Sequence, residues 1–215
     1  MRPVILPEHR EFFFRNNYIE FEGLITNEQS ELLAEDVSAV LSKRMNVPQK
    51  YLNEYSAENA FRSGRDVWRD SAAIKKIVCR HQLAEIAAII TRNKSVRLAY
   101  DQVVFGGVPA YEEEPSLLDV SCFTGMVCGL LLCISKGSDA EVSEYLPKQP
   151  GNGIYITTEF PMKIEGNGIY LLIVYTKPLS NYIKKDGDLN THTLKSLGYV
   201  FGDNLRKEFH PMVYR

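Results

Sequence analysis

Four histidines, four cysteines and a scatter of carboxylates are the residues of this 215-residue chain that could do chemistry. The histidines are His9, His81, His192 and His210, with none between positions 81 and 192. The most apolar run, LLDVSCFTGMVCGLLLCIS over 117–135, holds one carboxylate, Asp119. Three consecutive glutamates, Glu112 to Glu114, precede it. Such a run is usually a solvated face and only occasionally a cation site. Cys79, Cys122, Cys128 and Cys133 form neither a CxxC pair nor a zinc spacing. They read as reduced thiols used as small hydrophobes. Gly125-Met126-Val127-Cys128-Gly129 has the outline of a nucleophile elbow. It lies inside an apolar strand, where a thiol stays neutral and inert. The chain has no G-x-S-x-G elbow, P-loop or HExxH motif.

The elements that must position these residues can be read from periodicity. Within residues 12–25, Tyr18, Ile19, Phe21 and Leu24 suggest a short strand entering a helix. Thr26-Asn27-Glu28-Gln29 then opens a capping box. The helix behind it runs to about Lys43, with Leu33, Val37, Val40 and Leu41 on one face. Residues 48–69 show no clean period. They read as a loop with one short helix, either a covering loop or a lid over a pocket. Asp70 or Ser71 caps a second helical region, whose two apolar stripes fall out of phase around residues 80–82 and predict a kink or two short helices. Residues 96–105, VRLAYDQVVF, alternate as a strand. One face is Val96, Leu98, Tyr100, Gln102 and Val104; the other is Arg97, Ala99, Asp101, Val103 and Phe105. Residues 126–134 read as a strand buried on both faces. Two Gly-Asn-Gly-Ile-Tyr segments, at 151–155 and 166–170, supply turn signals before further strands. A short helix is expected at 191–199, stopped by Gly198, before an extended tail in which Pro211 restricts His210.

Composition bounds the function. A 215-residue chain that is 45% hydrophobic can bury its own core without disulfide or metal. It is expected to form a single domain over 1–215, mainly helical over 1–95 and mainly β over 96–215. Net charge is −2, with both signs interleaved. This gives no electrostatic footprint for nucleic acid. The N-terminus lacks the apolar core of a signal peptide, and the apolar run 123–134 is too short for about 30 Å of hydrocarbon. The expected location is the cytoplasm, with no membrane partner.

The order of parts resembles the phytanoyl-CoA dioxygenase-like branch of the Fe(II)/2-oxoglutarate oxygenases. The matching residues are Tyr18, Ile19, Gly23, Leu24 and Glu28, then His81, Leu83, Ile86 and Ala87, then Arg97, Leu98, Asp101 and Gln102. The resemblance implies an α+β fold, a double-stranded β-helix (jelly roll) packed against N-terminal helices. It also implies two histidines and one carboxylate on iron, leaving open positions for oxoglutarate and oxygen, and a basic residue for the oxoglutarate carboxylate. The sequence departs from that set. Where a His-x-Asp motif is expected it reads Leu117-Leu118-Asp119. No histidine lies in the stretch directly after the GNGIYI segment, where the second is expected, and the strand that would carry the oxoglutarate anchor ends at Lys177.

The expectation is therefore an oxygenase-like protein without a recognisable facial triad, acting as a binding or scaffold protein for an unknown small molecule or protein, with no cofactor. Asp101, Gln102, Asp119 and Tyr175 are its candidate pocket-lining groups, with Asp101 and Gln102 on opposite strand faces. One alternative is an active Fe(II)/2-oxoglutarate oxygenase with displaced ligands drawn from Asp119, His192 and His210. A cation held by Glu112–Glu114 and a metal-responsive DNA-binding regulator are lesser alternatives.

Overall fold

The computed structural model describes residues 4–54, 57–105, 114–136, 145–162 and 168–215. Its centre is an antiparallel sheet of six strands: β1 (Tyr18–Phe21), β2 (Val96–Phe105), β3 (Met126–Ser135), β4 (Gly153–Ile156), β5 (Ile169–Thr176) and β6 (Met212–Tyr214). They lie in the order β1-β4-β3-β5-β2-β6. The helices are α1 (Pro7–Asn16), α2 (Asn27–Met45), α3 (Ala57–Ser63), α4 (Ala72–Val78), α5 (His81–Ile90) and α6 (Leu117–Val120). The first five precede β2.

Local chemistry accounts for the helix ends. The Thr26 hydroxyl accepts from the Gln29 N–H, and the Gln29 side chain accepts from the Thr26 N–H, closing the expected capping box. Ser71 accepts from the Ile74 N–H and starts α4. The out-of-phase stripes resolve into two helices, α4 and α5, meeting at Cys79 and Arg80. The expected short strand forms as β1 at Tyr18–Phe21, ahead of α2, while the aromatic run at 12–14 belongs to α1, with Pro7 as its first residue. Asn17, in the left-handed conformation, ends α1 just before β1. The expected helix near the C-terminus is a short 3-10 turn, Thr193–Leu197, stopped by left-handed Gly198.

Each sheet face packs its own apolar cluster. The helix face presents Leu130, Leu132, Tyr155, Leu171, Ile173 and Tyr175 to α2, α4 and α5. The loop face presents Tyr100, Leu131, Ile154, Ile156, Leu172 and Val174 to α6, Phe123 and the segment 177–210. β3 is buried on both faces, as its unbroken apolar run requires.

Strict alternation fails in β2. Leu98 pairs with Tyr175 and Tyr100 with Val174, so Ala99 is an extra residue in a bulge. Past the bulge the faces exchange. Leu98 shares the helix face with Val103, while Tyr100 and Val104 lie on the loop face with Ala99. The two faces expected for 96–105 are thus corrected by one inserted residue. Of the Gly-Asn-Gly echo, the first copy leads into β4; Gly166 and Asn167 lie outside the described residues, as do Glu112 and Glu113. Among the described residues no helix is long and apolar enough to cross a membrane.

Candidate functional site

The loop face collects the polar groups that a site would need. The segment between α3 and the 3-10 turn Val67–Arg69 runs against the edge of β2. The Val103 N–H donates to Gly64 O at 2.9 Å, and the Asp66 N–H donates to Asp101 O at 2.8 Å. This lays Arg65 across from Gln102. The Arg65 side chain enters the loop face and is almost fully buried.

There its Nη2 donates to Asp188 Oδ1 at 3.0 Å and its Nε to Gln102 Oε1 at 2.9 Å. The guanidinium carbon lies 3.7 Å from the centre of the Tyr100 ring, a cation–π contact made in a desolvated place. Asp188 is saturated by other donors. The Asn190 N–H reaches Oδ1 at 2.8 Å and the Cys122 N–H reaches Oδ2 at 3.1 Å. Gln102 Nε2 donates to Phe61 O at 2.7 Å, and the Tyr100 hydroxyl bonds the Ser121 hydroxyl at 2.5 Å. Burial works against the charge on Arg65, but Asp188 holds it protonated. Burial pushes the Tyr100 hydroxyl and Cys122 thiol up, so both are neutral. Removing one partner of such a buried pair costs about 3–5 kcal/mol.

The candidate residues separate. Gln102 belongs to this network. Asp101 is buried on the helix face, accepting from the Val67 and Trp68 N–H groups at 3.1 and 3.2 Å. Tyr175 also faces the helices, and its hydroxyl has no hydrogen-bond partner among the described residues. Neither Asp101 nor Tyr175 lines the loop face. Asp119 is exposed. Its carboxylate accepts from the Ser116 N–H at 2.9 Å and hydroxyl at 2.6 Å as part of the α6 capping box, which holds it below the usual carboxylate range. It faces solvent at the start of α6 and does not line the loop face. His192 is exposed, with its ring against Phe201. His210 is fully buried. Its Nδ1 meets Ala99 O at 2.8 Å and its ring packs against Phe123 and Tyr199. Burial lowers its pKa to about 4.

No protein-family model and no curated protein matches this sequence. Solved structures do. The carbocyclase SnoK of nogalamycin biosynthesis, a non-heme α-ketoglutarate-dependent protein, aligns with a TM-score of 0.70 at 12% identity, over 97% of this chain and 96% of its own. The epimerase SnoN of the same biosynthesis aligns at 0.65 with 11% identity, over 97% and 98%. SnoN has also been seen with Fe3+, α-ketoglutarate and nogalamycin RO. CT296 from Chlamydia trachomatis aligns at 0.52 with 20% identity, over 82% of this chain and 98% of its own. This chain has the fold of the non-heme α-ketoglutarate-dependent enzymes.

Among the described residues no three His, Cys, Asp or Glu side chains are grouped to hold a metal ion. Leu117, at the position of the expected imidazole, is fully buried in the loop-face cluster. The one buried carboxylate described in the network, Asp188, is neutralised by an arginine. Lys177 is exposed at the end of β5, and the preceding Thr176 is tied to Thr124 O, Gly125 O and the Ser180 hydroxyl.

Arg65 and Asp188 were missed by sequence reasoning because 123 positions separate them. Two weak signals existed. Asp188-Leu189-Asn190 has the spacing of an Asx turn, which it forms. Gly64 precedes the arginine where backbone approaches backbone.

Proposed function

We propose that this chain is a non-catalytic binding or scaffold protein built on the double-stranded β-helix of the Fe(II)/2-oxoglutarate oxygenases, in their phytanoyl-CoA dioxygenase-like branch. One observation carries the reading: the loop face, the interior of such a jelly roll, is packed with side chains and closed by the Arg65–Asp188 pair. A reaction pocket needs room for a substrate and convergent polar groups. Here, among the described residues, Arg65, Gln102 and Asp188 bond to one another. A hollow beside β3 and β4, lined by Leu131, Tyr145, Ile154, Phe160 and Met162, has a volume of about 20 Å³, the space of about one water. The ligand or partner is then met at the outer surface. The displaced-ligand oxygenase draws on Asp119 and His192, which are surface residues, and on His210, which is buried among aromatic rings.

Anaerobic calorimetric titration of the protein with Fe(II), with and without 2-oxoglutarate, tests this. The expected result is no saturable iron binding in either case. One-site binding strengthened by oxoglutarate would overturn the reading.

A further inference from the structure

Many contacts serve to bring one arginine into the loop face. A Cβ at Gly64 would lie 3.0 Å from Val103 Cβ and 3.1 Å from Gln102 Nε2, so glycine lets this segment lie against β2. Asp66 follows in the left-handed conformation, φ +56°. From the helix side, Arg44 of α2 donates to the carbonyls of Ser63, Arg65 and Asp66. The guanidinium so delivered joins β2 through Gln102 to the C-terminal segment through Asp188. Asp188 in turn holds the start of the chain between α6 and β3 through the Cys122 N–H.

We propose that Arg65 is the built-in cation of this fold: its guanidinium takes the part a bound metal ion would take, neutralising a buried carboxylate and fastening the C-terminal segment to the sheet. This rests on the non-catalytic reading above. It adds that the face is closed by the chain's own charge and needs no ligand to be stable. A guanidinium suits the place because its donors form a planar fork that bonds Asp188 and Gln102 together while one face stacks on Tyr100.

The test is thermal melting of R65A, D188N and R65M/D188L, with ethylguanidinium chloride at low millimolar concentration as the probe. R65A and D188N should each melt about 10 °C or more below wild type. Ethylguanidinium should raise the Tm of R65A but not of wild type or D188N, since only R65A offers both a cavity and an unpaired carboxylate. R65M/D188L should melt above both single variants. An R65A variant within about 2 °C of wild type, or one that ethylguanidinium leaves unmoved, would overturn the inference. If R65A does not fold, a double variant melting below D188N overturns it and one melting above supports it. The outcomes separate the two readings. Iron binding by wild type overturns the non-catalytic function, whereas failed rescue without iron binding overturns the role of Arg65 alone.

Discussion

Asp101 and Gln102 leave β2 on opposite faces of the sheet and hold the same passing segment from both sides. Asp101 accepts the N–H groups of Val67 and Trp68 on the helix face. Gln102 binds Arg65 and the Phe61 carbonyl on the loop face. The segment is clamped around the strand edge, so a charge on one face and a cap on the other depend on two adjacent residues.

The Asp101 carboxyl is the first consequence open to measurement. Burial and then the neighbouring Asp66 push its pKa up to about 8, against the amide donors and Arg44. The folded state therefore binds the proton more tightly than the unfolded state. Its contribution to stability is present below about pH 4 and is lost as pH rises toward 8. Urea unfolding of wild type and D101N across this range should show wild type losing ground to D101N with rising pH. The slope is at most about 1.4 kcal/mol per pH unit, and it flattens above pH 8. A difference that grows in favour of wild type would mean an ionised carboxylate that the two amides stabilise.

His210 gives the opposite slope. Burial lowers its pKa to about 4; Asp66 opposes this, while Arg69 and Arg97 add to it. The folded state here binds the proton less tightly, so stability is full above about pH 6.5 and falls as pH drops toward 4. The carbonyl of Ala99 can only accept, which fixes the proton on Nδ1. Imidazole nitrogen shifts at pH 5.5 should show His210 neutral, with its proton on Nδ1. A doubly protonated ring at that pH would refute the assignment.

Much of the architecture was written locally. The Thr26 capping box, the split between α4 and α5 and the doubly buried β3 each follow from a few adjacent residues. The face assignment of β2 failed because a bulge is a contest between strand partners, and nothing in VRLAYDQVVF marks Ala99 as the surplus residue. The loop-face network was illegible for a related reason. Arg65 sits in a stretch with no period and Asp188 in one that reads as a polar turn, and each is explained only by the other. Asp119 misled because an aspartate three residues after Ser116 is both a plausible ligand and a good capping residue. Only the fold shows that it caps.

Placing an imidazole at position 117 should therefore not create a metal site. L117H recreates His-x-Asp in sequence. In the fold, however, Leu117 is buried against β3 while Asp119, two residues on, faces solvent. The variant is expected to lose about 2–4 kcal/mol in urea unfolding, from an imidazole placed in an apolar site. It should show no saturable Fe(II) binding by calorimetry. Binding that appears in L117H and disappears in L117H/D119A would show that α6 can turn its carboxylate inward.

Gly151 tests how the helical part is fastened to the sheet. Its N–H donates to Cys133 O at the end of β3, and its carbonyl accepts from the Ile25 N–H just before α2. Its φ is +89°, and a Cβ there would lie 2.4 Å from Ile25 O. Gly23 shares the positive φ, at +62°, but a Cβ on it would meet nothing within 4 Å. The two glycines separate backbone conformation from steric clash. G23A should cost about 1–2 kcal/mol, the penalty for a side chain in the left-handed region. G151A should cost distinctly more, because a backbone carbonyl has nowhere to retreat without breaking the latch between α2 and β3. Urea unfolding of both variants decides it. Equal losses would mean that the Ile25 carbonyl yields freely and that the latch contributes little to holding α2 on the sheet.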